Sequence, residues 1–206
     1  MKGCLNTGRD ALYRQGNNVM EKLDGPQLTK CNETAIVMAW AAITPGFDSW
    51  MNPFHGKYRW QPEDLVDLYF QDEANWERFK ELRRLALTHH QTDDKNGPYQ
   101  PERVSSYHQL ALREVLGVMA DFTYGANFGT VASNLSLGTA VILHVREPGH
   151  YVTGVKYNEE KMLIGFKDPA PIKWLQDTED SDGNKWASPT DFKDNIRDDI
   201  TRAWRG

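Results

Sequence analysis

The sequence predicts an α+β fold in which helices come first along the chain and an antiparallel sheet follows. The segment NETAIVMAWAAI is apolar almost throughout, and its length and Ala and Met content favour a buried helix. After Gly138, β-branched and alternating segments recur between short turns, which is typical of strands. A length of 206 residues, with no internal repeat or low-complexity linker, predicts a single domain over residues 1–206.

The helical part is predicted to begin at Cys31, after an irregular segment over residues 1–30. The first helix ends at Thr44-Pro45-Gly46, because Pro and Gly interrupt the helical pattern there. Apolar spacing predicts four further helices and one short strand before Gly138. The helices are expected at 62–70, 73–87, 104–119 and 127–137, and the strand at 121–124.

Three strands are predicted after Gly138, over residues 139–145, 150–157 and 161–168. The second and third are separated by the turn Asn158-Glu159-Glu160, so we expect them to form a hairpin. The acidic, turn-rich stretch DTEDSDGNK and the segment WASPTDF then lead into a predicted polar helix at the C-terminus.

Charge and composition exclude several classes of protein. The net charge is −5 and the basic residues are scattered, so we expect no nucleic-acid partner. No apolar run approaches the roughly 20 residues of a membrane span. The polar opening MKGCLNTGRD predicts no secretory signal peptide, so we expect a cytoplasmic protein or one released or injected by a non-classical route.

A nucleophile, a base and an orienting carboxylate can be assigned from the predicted elements. Cys31 lies at the start of the first helix, where free backbone N–H groups favour a thiolate. Of the six histidines, His150 follows Gly149 and begins a strand, so its ring can project from the sheet edge. A hairpin turn centred near Glu159 places Asp168 opposite His150, within reach of the imidazole.

Two segments carry a resemblance to a known family. TKCNETAIVMAW resembles the cysteine-helix motif of the bacteriocin-processing (double-glycine leader) peptidase-like branch of papain-like cysteine peptidases. LGTAVILHVREPGHYVTGVKYNEEKMLIGFKDPA resembles the second motif of that branch, with Gly-His beginning one strand and Asp-Pro ending the next. The resemblance implies a papain-like fold, with the cysteine-bearing helix packed on the antiparallel sheet.

The same resemblance implies further site residues. YRQGNN resembles an upstream segment whose glutamine helps form the oxyanion hole, which assigns that role to Gln15 and places Asn18 beside the site. Gln27 is an alternative donor because it is nearer to the cysteine in sequence. Asn32 and Gly149 flank the nucleophile and the base, and we assign them to substrate binding.

One departure from the family pattern lies directly beside the nucleophile. Asn32 stands where the family more often has Gly, and Glu33 places a carboxylate two residues from the thiol. That carboxylate either opposes a thiolate or caps the helix start.

The expected activity is that of a cysteine peptidase or amidase without a cofactor. By resemblance it is a bacterial or phage enzyme that acts on a protein or on a peptidoglycan peptide. Two alternatives remain: a transglutaminase-like acyltransferase, which shares the order Cys…His…Asp, and an inactive papain-like binding module. Fold similarity alone does not fix the substrate.

Other clusters are assigned no chemistry. His89, His90, Asp93 and Asp94 do not fit the ligand spacing of a zinc site, so we predict no metal there. TEDSDGNK resembles part of a calcium loop but lacks the distal glutamate, so we interpret it as a solvated turn. We expect His144 to be a structural or surface histidine, and Cys4 to form no disulfide with the nucleophile.

Overall fold

The computed structural model describes residues 5–7, 31–44, 62–75, 107–146, 149–170 and 179–206. The α-helices within these ranges are α1 (Cys31–Ile43), α2 (Pro62–Gln71), α3 (His108–Glu114), α4 (Phe128–Ser136) and α5 (Pro189–Asn195), and Glu73–Asn75 forms a 3-10 turn. The strands are β1 (Met119–Thr123), β2 (Ala140–Val145), β3 (His150–Asn158), β4 (Leu163–Lys167), β5 (Lys185–Ala187) and β6 (Ile196–Trp204). No helix in these ranges is long and apolar enough to cross a membrane.

The six strands form one antiparallel sheet in the order β1-β6-β2-β3-β4-β5. One face of the sheet packs against α1 and α3, and the opposite face packs against α4 and α5. An antiparallel sheet with helices confirms the predicted α+β class.

Helix α1 is the centre of the first core. Every residue of α1 except Trp40 is buried, so the helix is enclosed on all sides instead of presenting one apolar stripe. This explains why its sequence is apolar from Ala35 to Ile43, since no face of it needs to meet water. The helix packs against β3, and α2 covers it with Val66 and Phe70.

Strand β2 separates the two cores. Ala140 and Ile142 belong to the core around α1, whereas Val141, Leu143 and Val145 belong to the core around α4 and α5. Successive side chains of a strand point to opposite faces, so a strand buried on both faces has a continuous apolar sequence. The run AVILHV has this pattern because β2 lies inside the sheet, between β6 and β3.

A buried hydrogen bond fixes α1 on the sheet. The hydroxyl of Thr153, on β3, donates to the backbone carbonyl of Ala35 at 2.7 Å. Ala35 lies one helical turn after Cys31, so the contact holds the first turns of α1 against the strand that begins with His150. The position of the helix start relative to this strand is therefore set by a specific polar contact as well as by packing.

Several predicted elements are confirmed. Helix α1 ends at Ile43, and α2 extends one residue beyond the predicted end. Helix α4 lies within the predicted range 127–137, and the Asn127 side chain caps it by accepting a hydrogen bond from the Thr130 N–H. Of the helix predicted over 73–87, only the 3-10 turn falls within the described residues.

The prediction for the C-terminus is wrong. A short helix, α5, does follow Ser188, but the remainder forms β6, a nine-residue strand between β1 and β2. Arg202 on β6 forms an ion pair with Asp121 on β1. Asp199 on β6 likewise lies beside His144 on β2. Such partners on other strands cannot be read from the sequence, so the charged segment resembles a solvated helix. The helix predicted over 104–119 also ends early, and Met119 begins β1.

A buried carboxyl group lies where α2 packs against α1. Glu63 is fully buried, and among the described residues no other residue forms a hydrogen bond to its carboxyl oxygens. Burial, together with the nearby charges of Asp64 and Glu33, raises the pKa of Glu63 to about 8, against the lowering effect of a hydrogen bond from its own backbone. Glu63 is therefore protonated in the folded protein at neutral pH.

This burial makes the free energy of unfolding depend on pH. In the unfolded chain Glu63 ionises near its ordinary pKa of 4.5. The free energy of unfolding is therefore highest, as far as Glu63 determines it, below pH 4.5, and it falls as the pH rises towards 8. In the wild-type protein we expect the free energy of unfolding to fall by roughly 3–5 kcal/mol between these two pH values, and in Glu63→Gln we expect this fall to be absent. Chemical denaturation at several pH values measures it.

Glu160→Gln is the matched control, because Glu160 is exposed in the turn between β3 and β4. This variant is expected to follow the wild-type pH dependence. Parallel curves for wild type and Glu63→Gln would show that Glu63 does not carry the effect.

Candidate active site

Cys31 is the first residue of α1, and its thiol forms no disulfide. The first turn of a helix has backbone N–H groups without intrahelical partners, and the positive end of the helix dipole lies there. Both favour negative charge on a side chain at this position. The residue is 8% exposed, so the thiol is set into the protein surface.

His150 begins β3 and is likewise 8% exposed. The residue before it, Gly149, has a φ of 79°, a left-handed conformation that favours glycine. The histidine Nε2 lies 2.8 Å from Asp168 Oδ1, and the ring is also hydrogen-bonded to Cys31. Because Nε2 is bonded to the carboxylate, Nδ1 is the ring atom left for the thiol.

Asp168 follows the last residue of β4 and is 1% exposed. Its Oδ1 faces His150 and also accepts the backbone N–H of Ala170 at 3.0 Å. Its Oδ2 accepts a hydrogen bond from Nζ of Lys185 at 2.7 Å. The carboxylate is thus held on both oxygens, and its orientation towards the imidazole is fixed.

The strand register differs from the predicted one. The ladder pairs Thr153 with Lys167. Extended by one residue, it places Asp168 opposite Val152, which is two residues after His150 on β3. The turn occupies residues 159–162, later than predicted, and the ladder has an irregularity between Gly154 and Lys156. A shift of two residues keeps a side chain on the same face, so the histidine and the aspartate meet as diagonal neighbours.

Opposing effects determine the charge of His150. Burial alone lowers its pKa, but the hydrogen bonds to Asp168 and Cys31 and the negative charges of both groups raise it to about 9. The imidazole is therefore protonated at neutral pH. A cation held between a thiol and a carboxylate is the arrangement that supports a thiolate.

The charge of Asp168 is set in the same way. Burial raises the pKa of this carboxyl group, but the hydrogen bonds and positive charges of His150 and Lys185 outweigh burial and hold its pKa below the ordinary value. The aspartate is therefore ionised at neutral pH. An ionised carboxylate with two cationic neighbours stabilises the protonated form of the imidazole.

The other predicted site residues are placed only in part. Asn32 is 1% exposed, and its Nδ2 has no hydrogen-bond partner within the described residues. Glu33 is fully buried and lies close enough to Glu63 to raise the pKa of that residue. Gln15, Asn18 and the alternative donor Gln27 lie outside the described residues.

Sequence reasoning missed Lys185. Its side chain is 3% exposed and contacts Asp168 from β5, a three-residue strand that we did not predict. The available signal was a lysine between Asn184 and Trp186, directly after a tight turn. A buried lysine requires an anionic partner, but the sequence alone gave no reason to choose Asp168.

Other polar clusters have structural contacts. His144 is stacked on Tyr151 at 4.5 Å between ring centroids, and its Nδ1 lies 3.3 Å from Asp199 Oδ2. In the loop resembling a calcium site, the carboxylate of Asp180 accepts hydrogen bonds from Asn184 and Trp186. Within the ranges that the structure describes, no group of three or more His, Cys, Asp or Glu side chains could hold a metal ion.

Neither a scan against protein-family models nor a search of curated proteins finds a match for this chain.

The buried ion pair makes a prediction for stability. Asp168→Asn removes the carboxylate that pairs with the buried Lys185, so we expect the free energy of unfolding to fall by about 3–5 kcal/mol. Asp121→Asn is the matched control, because Asp121 and Arg202 are each about one-third exposed (32% and 33%). Loss of that partly exposed pair, which water screens more than the buried one, is expected to cost about 1 kcal/mol. Denaturant unfolding at pH 7 compares the two, and equal losses would contradict the buried role of Asp168.

Proposed function

We propose that this protein is a cysteine hydrolase that cleaves a peptide or amide bond through a thioester on Cys31. The observation that carries the proposal is the His150 ring, which is hydrogen-bonded to the Cys31 thiol on one side and to the Asp168 carboxylate on the other. Nucleophile, base and orienting group thus form one connected chain, which is the arrangement that activates a thiol.

In the proposed reaction His150 holds the proton of Cys31, and the thiolate attacks the carbonyl carbon of the substrate. The backbone N–H of Cys31 donates to the developing oxyanion, and Gln15 is the second donor by resemblance. The C–N bond breaks as the imidazolium gives its proton to the amine, which leaves a thioester. His150 then takes a proton from water, the hydroxide attacks the thioester, and the acid is released with the thiol restored.

A papain-like fold is the proposed framework for this chemistry. It is supported by a buried helix that begins with the cysteine and packs against a strand that begins with the histidine. The order Cys31, His150, Asp168 along the chain matches the motifs that resemble the bacteriocin-processing peptidase-like branch. We propose a peptide of a protein or of peptidoglycan as substrate on that resemblance alone.

Alkylation of the thiol tests the proposed nucleophile. At pH 6 an imidazolium beside Cys31 favours the reactive thiolate, so we expect His150→Ala to lower the rate constant for iodoacetamide by at least about ten-fold. Cys4→Ser serves as the background, so that only Cys31 is labelled. Intact-mass spectrometry against time gives the rate.

His144→Ala is the matched control, because this histidine pairs with Asp199 and not with the thiol. Its labelling rate is expected to stay within about two-fold of the background protein, since the Cys31–His150 contact is retained. If His150→Ala and the background protein are labelled at the same rate, the proposed cysteine–histidine pair is wrong. A folded protein whose Cys31 is never labelled would favour the binding-module alternative.

A further inference from the structure

We propose that Lys185 is a positioning residue that acts on His150 through Asp168, by holding Oδ2 and drawing part of the carboxylate's negative charge away from the imidazole. This inference rests on the proposed function, because it assigns to Lys185 a role in setting the proton affinity of the catalytic base. It adds a fourth member to the chain of Cys31, His150 and Asp168.

The two carboxylate oxygens have separate partners. Oδ1 is 2.8 Å from His150 Nε2, and Oδ2 is 2.7 Å from Lys185 Nζ. The side chains of Asp168 and Lys185 are 1% and 3% exposed, so water does not screen this pair. The charge of one carboxylate is therefore shared between two cations at similar distances.

The turn before β5 and the pairing of β5 with β4 bring Lys185 to this point. Asp180 accepts hydrogen bonds from the backbone N–H groups of Asp182 and Asn184, which closes the turn before β5. Lys185 then pairs with Phe166 in the ladder, two residues before Asp168 on the neighbouring strand. Residues two apart on a strand share a face, so the lysine and the aspartate project to the same side of the sheet.

The neighbouring lysine shows a different use of a buried ammonium group. Lys167 is fully buried, and its Nζ donates to the backbone carbonyls of Thr7 and Asp182 at 2.7 and 2.6 Å. Those contacts tie separate segments together. Lys185 instead donates its hydrogen bond to the carboxylate of Asp168, which is also hydrogen-bonded to the imidazole of His150. The charge of Lys185 therefore acts on His150 through Asp168.

The direction of the effect follows from the contacts of Oδ1. If Lys185 loses its charge, the Ala170 N–H still holds Oδ1 beside the imidazole at 3.0 Å. The full carboxylate charge then acts on His150, and repulsion between the lysine and the imidazolium disappears. Within the part of the chain that the structure describes, the titratable groups that act on His150 are Cys31 from α1 and Asp168 from the end of β4, and Lys185 lies behind the carboxylate.

The catalytic consequence concerns proton transfer. The pKa of His150 is already raised to about 9, above the neutral range in which an acid–base catalyst transfers protons best. A lysine that withdraws charge from Asp168 keeps the imidazolium acidic enough to protonate the leaving amine. Lys185 thus limits the rise in the pKa of His150 that Asp168 and Cys31 cause.

NMR titration of the His150 ring tests this inference. In Lys185→Gln, which keeps an N–H donor but removes the charge, we expect the titration midpoint to rise by about half a pH unit or more. Lys185→Met removes the hydrogen bond as well and is expected to shift the midpoint in the same direction, so either variant that folds gives the result. Lys185→Arg keeps the charge and should retain the wild-type midpoint.

Lys161→Gln is the surface control, because Lys161 is an exposed lysine in the turn between β3 and β4. An unchanged or lowered midpoint in a folded Lys185→Gln or Lys185→Met protein would overturn the inference. The titration reads the imidazole directly and needs no substrate. The two proposals can fail separately. If the His150 midpoint depends on Lys185 but the alkylation rate of Cys31 does not depend on His150, the inference about Lys185 is retained and the proposed hydrolase is rejected.

Discussion

The carboxylate of Asp168 is the group on which the remaining site depends. It is ionised in a position that is 1% exposed, where an unpaired charge would be strongly unfavourable. The protein compensates with His150 and Lys185, one on each oxygen, and with the backbone N–H of Ala170. The end of β4, the start of β3 and the start of β5 are therefore held together by one buried group.

The position of the thiol follows from strand β3. The strand carries His150 at its start and Thr153 three residues later, and the Thr153 hydroxyl is bonded to the first turns of α1. One strand thus sets both the imidazole and the helix that bears Cys31. Because α1 is buried on all sides, it has little freedom to shift against the sheet, and the contact between thiol and imidazole is preorganised.

The sequence was sufficient for the parts that depend on local pattern. An unbroken apolar run predicts α1, and β-branched segments around a turn predict the β3–β4 hairpin, so Cys31, His150 and Asp168 can be chosen from the sequence. The details that depend on tertiary contacts were not predictable. Strand β6 carries charges whose partners lie on other strands, and the position of Lys185 depends on a turn closed by Asp180.

The contact between Cys31 and His150 connects the nucleophile to the base, and a titration of the His150 ring in Cys31→Ala tests this contact most directly. We predict a midpoint clearly below the wild-type value near pH 9, because the variant loses both the hydrogen bond and the negative charge that the cysteine supplies. A midpoint equal to that of wild type would contradict the account, since it would show that Asp168 alone determines the charge of His150.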